Sequence, residues 1–265
     1  MEISQYVKPK TIEEAYQILS ENPKNMILGG GAWLKQSSPT VHTLVDIAQL
    51  GLDKITENKD SIEVGALVTL HDLEVNPAIK KLGHGFISQS ISQVLGVGFR
   101  NISTIGGSIA GRYAFSDVLT ALLTLNVKLI FFPKREISLE EFLNSKGKVK
   151  DILTHIVIRK AEGKGFFKKV SASTLEFATL NVAVYQEQKK YWIAIGSRPS
   201  GSVLSHETSD FLNAQEKITD EVIEQASLIV LDTVKFGSNK AASKAYREQL
   251  AKTYIKRGIR EVSSK

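Results

Sequence analysis

The sequence contains no cysteine among its 265 residues, and this absence excludes several kinds of chemistry. Without thiols the chain has no disulfide bonds, no iron–sulfur ligands, no cysteine nucleophile and no thiolate zinc site. Long apolar runs are lacking too, since stretches such as Leu122–Leu125 and Leu129–Phe132 fall far short of the ~20 residues of a membrane-spanning helix. No apolar stretch flanked by basic residues marks a signal peptide at the N-terminus. We therefore expect a soluble, cytoplasmic protein with no membrane contact.

Histidine is scarce, and the familiar catalytic motifs are missing. The five histidines never stand at i, i+4 spacing with a helper carboxylate, so the sequence predicts neither a metal site nor a catalytic residue of its own. There is no Walker loop, and Gly96–Asn101 lacks the third glycine of a Rossmann fingerprint. The run Gly106–Ala110 resembles a nucleophile elbow but ends in alanine, which argues against a serine hydrolase.

The amino-acid composition is typical of a globular protein, and its charge is unevenly distributed along the chain. Hydrophobic residues make up 42% of the chain and charged residues 23%, and the formal net charge is +6. The basic C-terminal segment, Val234–Lys265, carries nine basic and two acidic residues and so holds all of the excess. Its simplest interpretation is a solvated helical face, and a docking surface for an acidic protein is the alternative. No helix-turn-helix, aromatic–basic RNA motif or zinc finger indicates nucleic acid.

Hydrophobic periodicity and capping motifs predict an α+β fold of two domains. Capping boxes begin at Thr11 and Ser138, and the glycine-punctuated stretch Gly96–Ser108 is interpreted as a binding loop. The best candidate boundary is Glu162–Gly165, which predicts domains over 1–162, with subdomains of about 1–55 and 56–162, and over 163–265. Predicted helices span about 11–21, 86–95, 117–125, 219–231 and 240–258, and predicted strands span 26–28, 43–47, 61–64, 127–132, 166–170, 180–185 and 191–196.

Two glycine loops are the strongest indication of a binding site. The first glycine loop is Leu28–Trp33 (Leu28, Gly29, Gly30, Gly31, Ala32, Trp33), and the second glycine loop is Thr104–Ser108 (Thr104, Ile105, Gly106, Gly107, Ser108). Consecutive glycines allow several main-chain N–H groups to point into one concavity, which suits phosphate oxygens. Two such loops would clasp a pyrophosphate, and Asp117 would accept a hydrogen bond from a ribose or similar hydroxyl. Tight turns without a ligand remain the alternative interpretation.

Together these residues resemble a known family, the FAD-binding (medium) subunit of molybdenum hydroxylases, which includes xanthine dehydrogenases and aerobic CO dehydrogenase. The two glycine loops are similar to the flavin-pyrophosphate loops of that family. Other similar motifs occur in the expected order along nearly the whole chain, namely Tyr6–Pro9 with Thr11–Leu19, Val64–Thr69, Ser116-Asp117, and Ala245–Arg247 with Ile255–Arg257.

The resemblance implies a bipartite FAD-binding domain of the vanillyl-alcohol-oxidase (PCMH) type, followed by a small α+β domain of the CO dehydrogenase flavoprotein C-terminal type. It implies that the two glycine loops hold the pyrophosphate and that Asp117 holds the ribityl–adenosine region. It further implies that Val94 and Leu153 lie near FAD, with Lys168 or Lys169 at the entrance of its site.

By the same resemblance, FAD passes electrons from iron–sulfur centres to NAD or another acceptor, and the partners are a 2Fe-2S small subunit and a molybdenum-cofactor large subunit. A stand-alone flavin oxidoreductase of the same fold and a scaffold without FAD are the alternatives. The chain departs from the family at Ala32-Trp33, where a hydroxyl or acidic residue is usual, and at Ser108, where asparagine is usual. Further departures are Gly111–Phe115 and Ser171–Thr174.

Overall fold

A computed structural model describes residues 2–34, 40–145, 147 and 150–264. The strands, in chain order, are β1 (Glu2–Val7), β2 (Met26–Leu28), β3 (Thr40–Asp46), β4 (Ile55–Glu57), β5 (Ser61–Gly65), β6 (Val127–Phe132), β7 (Arg135–Ser138), β8 (Ile152–Arg159), β9 (Gly163–Val170), β10 (Leu180–Glu187), β11 (Lys190–Gly196) and β12 (Val203–Leu204).

Several of the helices begin after a residue whose side chain caps their first turn. They are α1 (Ile12–Glu21), α2 (Leu70–Val75), α3 (Pro77–Lys81), α4 (Phe86–Ser92), α5 (Val97–Arg100), α6 (Ile105–Gly111), α7 (Asp117–Leu123), α8 (Leu139–Asn144), α9 (His206–Asn213), α10 (Asp220–Thr233) and α11 (Lys244–Ser263). A single 3₁₀ turn, Leu82–Gly85, precedes α4. Within the described residues, no helix combines the length and apolar character that crossing a membrane requires.

The first compact unit, Met1–Asp72 with Val97–Gly111 and Val127–Ile158, contains two sheets. Strands β1, β3 and β2 form a parallel sheet in that order, and β4, β5, β8, β6 and β7 form the other. Helix α1 packs its buried residues Ala15 and Leu19 against Val45 of β3 and against Ile47 and Ile152, which makes a small apolar core. Both glycine loops lie in this unit.

The second compact unit, Leu73–Gly96 with Arg112–Asn126 and Arg159–Lys265, is an antiparallel sheet covered by helices on both faces. Alternate residues of β10, among them Leu180, Val182 and Val184, form a core with the helices α9, α10 and α11. The intervening residues of β10 face the helices α4 and α7, where Phe86 stacks on Tyr185 with ring centroids 5.8 Å apart. The alternation of side chains along a strand therefore separates an apolar face from one that also holds polar groups.

A buried arginine joins the segments that close the second unit. Arg247 of α11 is only 1% exposed. Its guanidinium donates hydrogen bonds of 2.6–3.2 Å to the carbonyl oxygens of Thr179, Ser197, Gly237 and Ala242 and to the side-chain oxygen of Asn239. Burial lowers the pKa of Arg247. The five acceptors satisfy a charged group that would otherwise be costly to bury.

The predicted elements are largely confirmed, with instructive differences. The predicted strands 180–185 and 191–196 are confirmed as β10 and β11, which form a hairpin paired from Asn181↔Gly196 to Glu187↔Lys190. Ser138 begins α8 with a full capping box, whereas the Glu14 side chain accepts from the N–H of Lys10 instead of that of Thr11. The interpretation of Gly96–Ser108 as one extended loop is wrong, because it contains α5 and the start of α6.

The predicted domain boundary lies at the beginning of β9, which starts at Gly163. The second unit also contains α4 and α7, which precede that boundary in the chain. Folding of residues 1–162 and 163–265 as separate domains, and the subdomains 1–55 and 56–162, stay predictions.

Candidate functional site

The two glycine loops are in contact in the first unit, although about 75 residues separate them in the sequence. A β-carbon at Gly30 would lie 1.5 Å from the carbonyl oxygen of Ile102, and one at Gly29 would lie 3.1 Å from Thr104 Oγ1. Only a residue without a side chain permits so close an approach of the two main chains at Gly30. The glycine is therefore required by the contact between the loops themselves.

The first glycine loop follows β2 and offers unsatisfied main-chain donors. The N–H groups of Gly29, Gly30 and Gly31 donate to no acceptor among the residues that the structure describes. Gly31 has φ +71°, a left-handed conformation that favours glycine and reverses the chain. Gly30 is exposed while Gly29 and Gly31 are half-buried. Consecutive accessible N–H groups of this kind suit an anion.

In the second glycine loop the N–H groups of Ile105 to Ser108 are engaged within the chain, which differs from the expectation of a second N–H concavity. Its N–H groups are already engaged: Ile105 with Val68 O (3.0 Å), Gly106 with Ala66 O (2.9 Å), Gly107 with Thr104 Oγ1 (3.1 Å) and Ser108 with Thr104 O (3.0 Å). A β-carbon at Gly106 would lie 2.6 Å from Ala66 O, whereas Gly107 is exposed and meets only Thr104 Oγ1 at 3.1 Å. This loop thus exposes main chain without a side chain at Gly107 and without free N–H groups from Ile105 to Ser108.

The pair of loops fits the pyrophosphate of a dinucleotide. The first glycine loop contributes donors, and the second glycine loop has no side chain at the exposed Gly107. Neither loop contains a charged residue, so the anion would be held by main-chain dipoles.

Trp33 and Ser108, two departures from the family pattern, both make contacts inside the first unit. The indole of Trp33 packs edge-to-face on Phe99, with ring centroids 5.2 Å apart. The hydroxyl of Ser108 donates to the carbonyl oxygen of Thr104 at 3.0 Å. Trp33 therefore joins the end of the first glycine loop to α5, just before the second glycine loop.

In the second unit, Asp117 and Lys169 form a buried ion pair. Lys169 Nζ lies 3.6 Å from Asp117 Oδ2 and donates to the carbonyl oxygen of Gln93 at 2.8 Å. Ser116 caps the helix that begins at Asp117, through its hydroxyl and the N–H of Leu119. Burial raises the pKa of Asp117 to about 7, although the positive charge of Lys169 acts in the opposite direction.

Asn181 lies beside the ion pair of Asp117 and Lys169, and the sequence analysis did not predict it as a site residue. It pairs with Lys169 across β10 and β9, so both side chains point to the same face of the sheet. Its amide lowers the pKa of Asp117 and donates to Ser197 Oγ at 3.3 Å. Among the described residues, Asp117 Oδ1 and Asn181 Oδ1 have no hydrogen-bond partner. The polar position in an otherwise apolar strand, LNVAV, is the signal that sequence reasoning overlooked.

The remaining predicted site residues lie in different surroundings. Lys168 is exposed and lies on the opposite face of β9 from Lys169, with its ammonium 5.6 Å from the ring of Tyr254. Val94 follows Gln93 in the second unit, next to the carbonyl that Lys169 contacts. Leu153 is buried in β8 of the first unit, opposite Phe131. Asp117, Lys169 and Val94 are therefore neighbours, and Lys168 is separated from them by the sheet.

Three basic side chains of the basic C-terminal segment pair with two acidic residues of α10 in the second unit. Glu224 of α10 accepts from Lys252 at 2.6 Å and from Lys256 at 2.9 Å, which lowers the pKa of its carboxyl to about 2. Asp220 pairs with Arg260 at 2.8 Å. These contacts support the interpretation of a helical face, and docking by this segment stays a prediction. Among the described residues, no group of three or more histidine, aspartate and glutamate side chains is arranged to hold a metal.

Comparisons with known proteins agree with this architecture. Residues 2–160 match the family model described as "FAD binding domain in molybdopterin dehydrogenase", and residues 165–262 match "CO dehydrogenase flavoprotein C-terminal domain". The nicotinate dehydrogenase FAD-subunit of Eubacterium barkeri is 22% identical, covering 96% of this chain and 94% of that protein. The xanthine dehydrogenase FAD-binding subunit of Escherichia coli is 25% identical, covering 98% and 96%.

Solved structures show the same fold. The carbon monoxide dehydrogenase of Hydrogenophaga pseudoflava contains a chain that superposes with a TM-score of 0.89 at 18% identity, covering 97% of this chain and 96% of that one. A chain of the quinoline 2-oxidoreductase of Pseudomonas putida gives 0.88 at 20% identity, covering 99% and 97%. With both family models matched over nearly its whole length, the chain belongs to the FAD-binding subunits of the molybdopterin dehydrogenase family, and its cofactor is FAD.

Proposed function

We propose that this chain is the FAD-binding subunit of a multi-subunit molybdenum hydroxylase similar to xanthine dehydrogenase. Its FAD would receive electrons from the iron–sulfur centres of a partner subunit and pass them to NAD or another acceptor. The observation that carries the proposal is the close approach of Gly30, in the first glycine loop, to Ile102, two residues before the second glycine loop, which brings distant parts of the chain together.

Each set of residues has a separate role in holding the cofactor. The N–H groups of Gly29, Gly30 and Gly31 would donate to pyrophosphate oxygens, and Gly107 would leave room for them. Asp117, fixed by Lys169, would accept a hydrogen bond from a hydroxyl of the ribityl–adenosine region. Val94 and Leu153 would contact the cofactor through their apolar side chains. When bound, FAD supplies the electron-transfer chemistry, and the protein positions it.

The partner subunits follow from what this chain lacks and from its relatives. Without cysteine, the chain has no ligands for the 2Fe-2S centres, so these would belong to a small subunit. The relatives are named as FAD subunits of nicotinate and xanthine dehydrogenases, which supports assembly with a molybdenum-cofactor large subunit. A flavin oxidoreductase acting alone is a weaker alternative, because no described cluster supplies an acid and a substrate pocket.

Purification of the chain from its native source tests the assembly. We expect a large molybdenum-containing chain and a small iron–sulfur chain to copurify with it, and flavin absorbance near 370 and 450 nm at one FAD per copy. Reduction of the complex by its hydroxylation substrate should bleach the band near 450 nm. Isolation of the chain as a fully active single-subunit flavoenzyme would contradict the proposal.

The electron acceptor is tested separately on the reduced complex. If NAD is the acceptor, its addition should restore the flavin band near 450 nm. The absorbance of the solution at 340 nm should rise at the same time, as NADH forms. Restoration only by another oxidant would retain the proposed subunit role and replace NAD as acceptor.

A further inference from the structure

Trp33 occupies a position that the family usually gives to a hydroxyl or acidic residue, and its ring has a defined partner. The indole lies edge-to-face on Phe99 of α5, with centroids 5.2 Å apart and an interplanar angle of 65°. Aromatic pairs in this geometry contribute more than the burial of their surface alone. The pair links the first glycine loop to the segment that leads into the second.

Phe99 also fixes the turn, residues 99–103, that contacts Gly30. Its carbonyl oxygen accepts hydrogen bonds from the N–H groups of Ile102 and Ser103, at 3.2 and 2.9 Å, and from the Ser103 hydroxyl at 2.9 Å. This turn carries the Ile102 carbonyl, which closely approaches Gly30. Trp33 and Gly30 therefore contact the same turn, one through the Phe99 ring and the other through the main chain.

We propose that Trp33 is a positioning residue for FAD, whose indole, packed on Phe99, holds the first glycine loop at the distance from the second at which the pyrophosphate fits. The inference rests on the proposed role of the glycine loops in holding FAD. Three consecutive glycines have high conformational freedom, so a side chain that restrains the loop reduces the entropy lost when the cofactor binds.

The test measures FAD affinity and FAD dissociation for the full chain, starting from apoprotein. We expect Trp33→Leu, which keeps an apolar side chain but removes the ring, to weaken FAD binding about three- to tenfold, with most of the change in the dissociation rate. Trp33→Phe should restore binding to within about twofold. Trp192→Phe is the matched control, because the only other tryptophan lies on β11 in the second unit, and it should leave FAD affinity unchanged.

A double-mutant cycle with Phe99→Leu distinguishes a link between the loops from a general loss of stability. The double variant should bind FAD no more weakly than either single variant, since both remove the same contact. Additive losses, or wild-type affinity in Trp33→Leu, would overturn the inference. If the wild-type chain itself binds no FAD, the proposed function fails first. Thermal unfolding of each apoprotein shows whether the variants fold. If Trp33→Leu does not fold, Phe99→Leu, which removes the partner ring, decides the question.

Discussion

In the first glycine loop three successive N–H groups have no acceptor among the described residues, whereas in the second every N–H from Ile105 to Ser108 is engaged within the chain. Glycine serves different ends in the two places. Gly30 and Gly31 expose donors and permit a turn, while Gly106 lets α6 pack on Ala66. The comparison teaches that a glycine-rich loop can either expose main-chain N–H donors or use its lack of side chains for close packing.

The largest effect is expected at the point where the two loops touch. Gly30→Ala places a β-carbon at 1.5 Å from Ile102 O, so the loops must separate and FAD should be lost from the purified protein. Absorbance near 450 nm measures the retained flavin. Gly98→Ala is the matched control, because its β-carbon would meet nothing within 4 Å, and it should retain FAD. Full flavin occupancy in Gly30→Ala would disprove the contact between the loops.

The second prediction concerns the pH dependence of stability. Neither glycine loop contains a titratable side chain, so the test uses Asp117 of the second unit. Because its pKa is raised to about 7, above the ~3.9 of an unfolded chain, the folded state binds this proton more tightly. This contribution to stability is fully present below about pH 4 and is lost as the pH rises to about 7. Asp117→Asn, which stays neutral, should therefore gain stability relative to wild type by up to a few kcal/mol between pH 5 and pH 8. Urea unfolding at both pH values measures the difference, and an unchanged difference would show that Asp117 titrates normally.

The third prediction contrasts neighbouring glycines within the second glycine loop. Gly106→Ala forces a β-carbon to 2.6 Å from Ala66 O and should destabilise the protein by about 1–3 kcal/mol. Gly107→Ala should change the free energy of unfolding by less than about 1 kcal/mol, since alanine favours a helix and the β-carbon would meet only Thr104 Oγ1, at 3.1 Å. Thermal unfolding of the apoproteins compares them. Equal destabilisation would mean that α6 does not pack on Ala66 as described.

The smallest effect is expected from the side chain that caps α6. Thr104→Val removes the hydroxyl that accepts from the N–H of Gly107 and should lower the free energy of unfolding by about 1 kcal/mol. Thr104→Ser retains the hydroxyl and serves as the control. If Val and Ser variants unfold at the same denaturant concentration, the hydroxyl does not act as a cap.

The elements that the sequence predicted well are those with local signals. Capping by Thr11, Ser138 and Thr219 and the mostly apolar run of β10 mark their elements without reference to the rest of the chain. Strand β1 carries no such signal, because nearly all of its residues are exposed. The short helix α6 was missed since glycine disfavours helices, and its stability depends on packing against Ala66.

The sequence singled out both glycine loops, but it did not predict their hydrogen bonds. The glycine pairs identified both loops, and the resemblance to one family joined them. That the N–H groups of Ile105 and Gly106 are engaged depends on the carbonyls of Val68 and Ala66, almost 40 residues earlier, which no local pattern reveals. Asn181 escaped notice for the same reason, because its partners come from other strands.

The motif Ala245–Arg247 has a structural role in this chain that does not involve flavin, because the guanidinium of Arg247 binds main-chain carbonyls. A planar fork of five N–H donors satisfies carbonyls from three separate stretches of backbone, and a lysine ammonium has neither that shape nor that number of donors. Arg247 therefore fixes helix α11 against the sheet of the second unit, through hydrogen bonds to residues at the ends of β10 and β11.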